Sequence, residues 1–333
     1  MKKKICYLSL IMCLISVSAY SQGIFSLFGG GNKEKKFSVK FLAGDEEAVE
    51  EVLQIKIRGE IKERAEADEM PFRINKDQME AIKKDLELAR KRDAIKVILL
   101  DINSPGGEVT ASDIIYHQIK KMHEETGKPV IALIGSMGAS GAYYVACAAQ
   151  KILAHPTSII GSIGVLLQSF NVEKLADTLG IKAMYLKSER TPHKDILSPF
   201  RKMTQQEKAM LTGIVNSIYD RFVKIVSESR GQSITQIEKV ADGSIYTADK
   251  ALKLGLIDKI GYQEDALAMA CEMVDLESIA LVKRITKKSF SEVLSEMTSM
   301  GRGFPAINLE LQKLIESANV PQLMFKLSLP PAH

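Results

Sequence analysis

Tryptophan is absent from this 333-residue chain, and aromatic residues of all kinds make up only 6% of it. Histidine is scarce at five residues, cysteine at four and proline at ten. So few cysteines exclude a disulfide-stapled mini-protein, and so little proline beside 22 glycines excludes a collagen-like or low-complexity chain. Neither charge sign dominates. Lys+Arg number 45 against 41 Asp+Glu, a formal net charge of +4, and Lys2, Lys3 and Lys4 supply three of those charges. The body therefore has no basic excess with which to hold nucleic acid, which is not an expected partner. What is present, 46% hydrophobic and 26% charged residues, suits one large globular domain or two small ones.

Cys6 and Cys13 lie in an apolar leader, which leaves Cys147 and Cys271 in the body. Neither belongs to a CxxC pair or a Cys/His cluster, so no zinc or redox site is signalled. Cys147, within AYYVACAA, reads as a buried inert thiol.

Residues 1–23, MKKKICYLSLIMCLISVSAYSQG, join a basic start to an apolar stretch from Ile5 to Tyr20 and end on small residues, the build of a secretory signal. Either Val17-Ser18-Ala19 or Ala19-Tyr20-Ser21 suits cleavage. An uncleaved membrane anchor competes with this reading. The apolar stretch is short of the roughly 20 residues that span a bilayer, but extension through Ile24 and Phe25 to Phe28 suffices. Both readings export the body to the cell envelope, anchored or periplasmic.

Residues 24–51, with Gly29-Gly30-Gly31-Asn32 and a charged stretch, read as a linker. From Val52 the pattern changes. VLQIKIRGEI alternates like a half-buried strand, and Asn75 to Arg92 repeats Met79, Ile82, Leu86 and Ala89 on one helical face behind an Asn75 cap. The continuous apolar run AIKVILLDIN suits a strand buried on both faces of a parallel sheet. A helix from Glu108 to about Glu125, the strand PVIALI, a helix after GSMGAS, then KILAHP, SIIGSIGVLL and IKAMYLK continue the alternation. Residues 204–230 form a long amphipathic helix. Repeated strand–helix–strand units predict an α/β domain over 52–275, with a tail at 276–333.

Two glycine-rich turns follow two consecutive strands, SPGG at 104–107 and GSMGASG at 135–141. Ligands of open α/β sheets bind at such carboxyl edges, and glycine lets bare N–H groups approach them. Ser140 opens a helix there, and the N–H groups of Gly107 and Gly141 are placed to converge on an oxyanion. The plainer role for Ser140 is a helix cap. As bases, His117, His123, His155, His193 and His333 offer nothing that selects one of them. A lysine base must be neutral at working pH, which requires shelter from water. LKSERTPHKDILSPF supplies Lys187 and Lys194 beside Ile196, Leu197 and Phe200.

Taken together, LLDINSPGGEV, GSMGASGAYYVACAAQKILAHP, GSIGV, HKDILSPFRKMT and ADGSIYTADKALKLGLID resemble the signal peptide peptidase A (SppA) family of serine peptidases. The likeness runs from about Val52 to Asp275. It implies a ClpP/crotonase-like fold of stacked βαβ units with a helical C-terminal extension. It further implies Ser140 as nucleophile, Lys194 as general base with Lys187 as the alternative, Gly107 as an oxyanion donor and Ser162 as the residue that orients the lysine. KSERTPHKD is longer than the family stretch by about two residues, and Gly138 replaces a more usual alanine, which would loosen the turn.

The resemblance implies a serine endopeptidase with a Ser-Lys dyad, acting on signal-peptide remnants or other envelope peptides and requiring no metal, nucleotide or other cofactor. It also implies a homo-oligomeric ring or dome in which one subunit's lysine serves its neighbour's serine. Leu166 and Leu167 are placed to line an apolar specificity pocket. Two rival readings use the same scaffold: a crotonase-like acyl-CoA enzyme, which relies on acidic catalytic residues and a cytoplasmic address, and an inactive envelope scaffold.

Overall fold

The computed structural model describes residues 38–63 and 78–285. The expected leader at 1–23, the Asn75 cap, His333 and the tail beyond Ile285 lie outside those residues. Strands β1 (Ser38–Gly44), β2 (Glu51–Arg58), β3 (Ile95–Ser104), β4 (Val130–Ala139), β5 (Lys151–Ala154), β6 (Ile159–Gly161), β7 (Ile245–Thr247), β8 (Lys259–Ile260) and β9 (Ala280–Ile285) form one sheet. Its main path runs β1-β9-β2-β3-β4-β5-β8. Every pairing from β9 through β8 on that path is parallel, with Leu53 opposite Ile98 and Leu100 opposite Ala132 in the centre.

The central strands are apolar because both faces are covered. Val97 and Leu99 pack with Ile131 and Leu133 on one side, where Ala266 and Ala270 of helix α8 (Gln263–Val274) close the layer. Ile98, Leu100 and Ile102 alternate with them along β3 and are fully buried. Helices α1 (Gln78–Lys91), α2 (Val109–Thr126) and α3 (Gly141–Ala146) follow β2, β3 and β4 in turn, the repeated unit read from the sequence. The long amphipathic helix is α5 (Gln205–Arg230), which follows the short α4 (Glu173–Thr178) and precedes α6 (Ile234–Glu238) and α7 (Ala248–Lys253). The α/β fold implied by the resemblance is the one observed.

Two boundaries and one strand differ from the reading of the sequence. The stretch taken as a linker contains β1, and the sheet extends past residue 275 into β9, which inserts between β1 and β2. Leu42, Ala43, Ile279 and Leu281 anchor these strands to the core, although 42 and 281 are distant along the chain. The start of the expected helical extension is thus a strand. IKAMYLK forms no strand: Met184 is 87% exposed and Leu186 wholly so.

The arrangement at the end of β4 positions the site. Residues 131–134 of β4 pair with β5, whereas 137–139 pair with β6, and the β3–β4 register shifts between Ile102 and Ser104. The strand ends diverge there and leave a crevice at the carboxyl edge, where such sheets bind ligands.

Candidate active site

Ser140 stands alone between β4 and α3 with φ 52° and ψ −125°. These are the dihedrals of glycine in a tight turn, and a serine that adopts them stores strain of about 1–3 kcal/mol. The turn is held by its backbone: Ser140 N–H donates to the Gly161 carbonyl at 2.8 Å, and Tyr144 N–H donates to the Ser140 carbonyl at 3.0 Å. The Ser140 side chain makes no cap hydrogen bond. Its hydroxyl is therefore not held as a helix cap.

Gly106 and Gly107 fill the space beside this turn because no side chain fits. A Cβ on Gly106 (φ 99°) would lie 2.6 Å from the Gly141 nitrogen and 2.9 Å from the Ser140 Cβ. One on Gly107 would lie 2.0 Å from the Ile61 carbonyl oxygen. Ile61 N–H donates to the Gly106 carbonyl and Glu108 N–H to the Ile61 carbonyl, both at 2.8 Å, so the bridge to Ile61 leaves the Gly107 N–H unused. The position that a Gly141 Cβ would take is 3.3 Å from the Gly107 nitrogen, so the two predicted donors are neighbours. Neither N–H donates to any described residue.

A cleft of about 730 Å³ opens in front of this turn. Ser140, Ser162 and Gly107 line it, together with Val165 and Leu166. Ser162 is also in a left-handed conformation (φ 49°), and its N–H donates to the Ser244 carbonyl at 2.7 Å. Leu166 reaches the cleft but stays 81% exposed, while Leu167 does not line it. Tyr219, Asp242 and Glu108 complete the wall. The sequence reading gave these no role, although Asp242 lies in the ADGSIYT block that carries part of the resemblance.

Gly138 does not loosen the turn. It is buried and paired with Ile160, and a Cβ there would approach the Ile134 side chain at 2.8 Å. Glycine leaves room for that isoleucine.

Neither candidate lysine lines the cleft within one chain. Lys187 is engaged elsewhere, donating to the Pro192 carbonyl at 2.7 Å and to Asp195 Oδ1 at 2.5 Å. Lys194 is exposed, and its amine has no partner among the described residues. The segment that carries it displays Phe170, Met184, Leu186 and Leu197 to solvent, at 72%, 87%, 101% and 48% exposure. His117, His123, His155 and His193 all lie outside the cleft lining; the His123 ring pairs with the Lys128 carbonyl and His155 packs against Tyr262. Burial pushes the Cys147 thiol up to about 12, so it is inert as expected. Among the described residues, no helix is long and apolar enough to cross a membrane.

The chain is 40% identical over 199 residues to a provisionally named protease of Methanocaldococcus jannaschii, an alignment that covers 60% of this chain and 62% of the relative. It is 33% identical over 205 residues to a provisionally named signal peptide peptidase SppA of Enterococcus faecium, covering 62% and 56% of the two chains. With Protease 4 of Haemophilus influenzae it shares 30% identity over 213 residues, covering 64% of this chain and 34% of the relative. The chain thus spans less than two thirds of the length of each of these relatives. Residues 69–168 match the Clp protease family, in keeping with the parallel sheet and its crevice. Residues 122–277, which run from α2 through the Ser140 turn to α8, match peptidase family S49.

Proposed function

We propose that the protein is a serine endopeptidase in which Ser140 is the nucleophile and Lys194 of an adjoining copy is the general base. The observation that carries this reading is the separation of two unpartnered groups. Ser140 waits in a strained turn at the mouth of the cleft, while Lys194 projects from an exposed apolar segment outside it. A second copy laid over that segment would cover Met184 and Leu186 and bring an amine to the cleft. An amine stripped of water by an apolar surface favours its neutral form, which a base requires.

In this mechanism the neutral amine takes the Ser140 Oγ proton as the oxygen attacks a peptide carbonyl. The N–H groups of Gly107 and Gly141 hold the tetrahedral oxyanion, a contribution of roughly 10²–10³ in rate per donor in related chemistry. The ammonium returns its proton to the leaving amine, and an acyl-Ser140 ester forms. Water, deprotonated by the same amine, then releases the acyl group and restores the hydroxyl. Ser162, on the cleft wall, orients the lysine. The substrates are peptides of the cell envelope, signal-peptide remnants among them, in keeping with a basic-apolar leader that exports the body.

A fluorophosphonate probe tests the assignment. Labelling at Ser140 that is lost in Lys194→Ala supports the dyad. Peptide turnover unchanged in Ser140→Ala contradicts it.

A further inference from the structure

The turn that carries Lys194 is gathered around one guanidinium, and the chemistry above gives that group no task. Arg201 lies between two carboxylates. Its Nε and Nη2 reach Asp195 Oδ2 and Oδ1 at 2.9 and 3.1 Å, and its Nη1 and Nη2 reach Glu207 Oε2 and Oε1 at 2.9 and 2.6 Å. Both contacts are two-pronged, a geometry that a guanidinium makes and an ammonium does not. The Glu207 side chain is only 3% exposed and also accepts from Thr204 N–H at 2.9 Å, closing the capping box of α5. Asp195 additionally accepts from Lys187, whose ammonium spans to the Pro192 carbonyl.

The segment from 187 to 207 is thereby drawn together at several points, and Lys194 sits on the turn between them, next to Asp195. A buried carboxylate bridged by arginine is weak as a source of stability and better suited to fixing a shape. Here it fixes a turn whose surroundings are otherwise exposed, and the lysine on that turn has a long, mobile stem.

We propose that Arg201, Asp195 and Glu207 are positioning residues, which hold the Lys194 turn in one preformed shape so that its amine is delivered to Ser140 of an adjoining copy. The inference rests on the Ser140–Lys194 reading. Preorganisation removes the entropy cost of ordering the turn at each encounter, and it bears on the chemical step because a misplaced base slows proton transfer without weakening substrate binding.

The test compares full-length Glu207→Gln, Asp195→Asn, Arg201→Lys and Lys194→Ala with the parent on a fluorogenic apolar peptide. Assembly size and melting temperature are measured alongside. The expected result is a fall in kcat of about 10- to 100-fold with KM within about twofold and assembly unchanged. Arg201→Lys falls with the others, because it keeps the charge but loses both forks. Parent-like kcat in Glu207→Gln and Asp195→Asn beside an inactive Lys194→Ala overturns the positioning role and leaves the dyad standing. An active Lys194→Ala overturns the dyad and the positioning role with it. Loss of assembly in both carboxylate variants assigns these residues to folding and overturns the proposal.

Discussion

The Ser140 N–H donates to the Gly161 carbonyl at 2.8 Å, so the Ser140 turn is fastened to the strand end that delivers Ser162. Both serines lie at positive φ, 52° and 49°, at the ends of the parallel strands β4 and β6. Two strained, non-glycine positions side by side cost stability, and they persist because the strand pairing behind them over-determines the backbone. Both serines line one cleft.

Strain at position 140 predicts a trade between stability and activity. Ser140→Ala and Ser140→Gly both remove the hydroxyl and both abolish peptide turnover. Ser140→Gly also relieves the φ 52°, ψ −125° conformation and melts higher than Ser140→Ala, by about 1 kcal/mol in unfolding free energy. Paired thermal melts of the two variants check this.

Gly107→Ala forces a methyl to within 2.0 Å of the Ile61 carbonyl oxygen, and backbone cannot yield as a side-chain tip can. The bridge to Ile61 must open and the donor N–H must turn away. The expected loss is about 10²–10³ in kcat with the circular-dichroism spectrum preserved.

Gly138→Ala overfills the space taken by Ile134, with contacts from 2.8 Å. Destabilisation of about 1–3 kcal/mol is expected, measured by urea unfolding. The double variant Gly138→Ala/Ile134→Val recovers part of it.

The Arg201 forks, and after them the Thr204 N–H, hold the Glu207 carboxyl at about 2 rather than 4.5. Arg201 and then Lys187 hold the Asp195 carboxyl well below its usual range. A depressed carboxyl stabilises the fold fully above its unfolded pKa and loses that contribution as pH falls through its folded pKa. The melting-temperature gap between parent and Glu207→Gln is therefore widest above about pH 4.5 and closes as pH falls toward about 2. A gap that stays constant across that window contradicts the assignment.

Much of this architecture is legible in the amino-acid order, and the unreadable parts share a cause. The apolar run through Ile98 and Leu100 announces a strand covered on both faces, and the glycines around Ser140 mark a turn that no larger residue tolerates. Those signals are local. β1 and β9 escaped because Leu42 and Leu281 find the same core from opposite ends of the described chain. Asp242 and Tyr219 reach the Ser140 cleft through the fold, and although Asp242 lies in the ADGSIYT block, that block by itself does not place the carboxylate beside Ser140. IKAMYLK carried an apolar pattern that reads as a strand, but among the described residues no surface covers Met184 or Leu186.

The most direct measurement mixes two inactive proteins, Ser140→Ala and Lys194→Ala, under conditions where subunits exchange. If each working centre joins a serine from one copy to a lysine from the next around a closed assembly, an equal mixture regains about a quarter of parental activity. The regained activity should vanish when Lys194→Ala is mixed with the double variant Ser140→Ala/Lys194→Ala. Proven exchange with no recovery would contradict a base supplied by the adjoining copy.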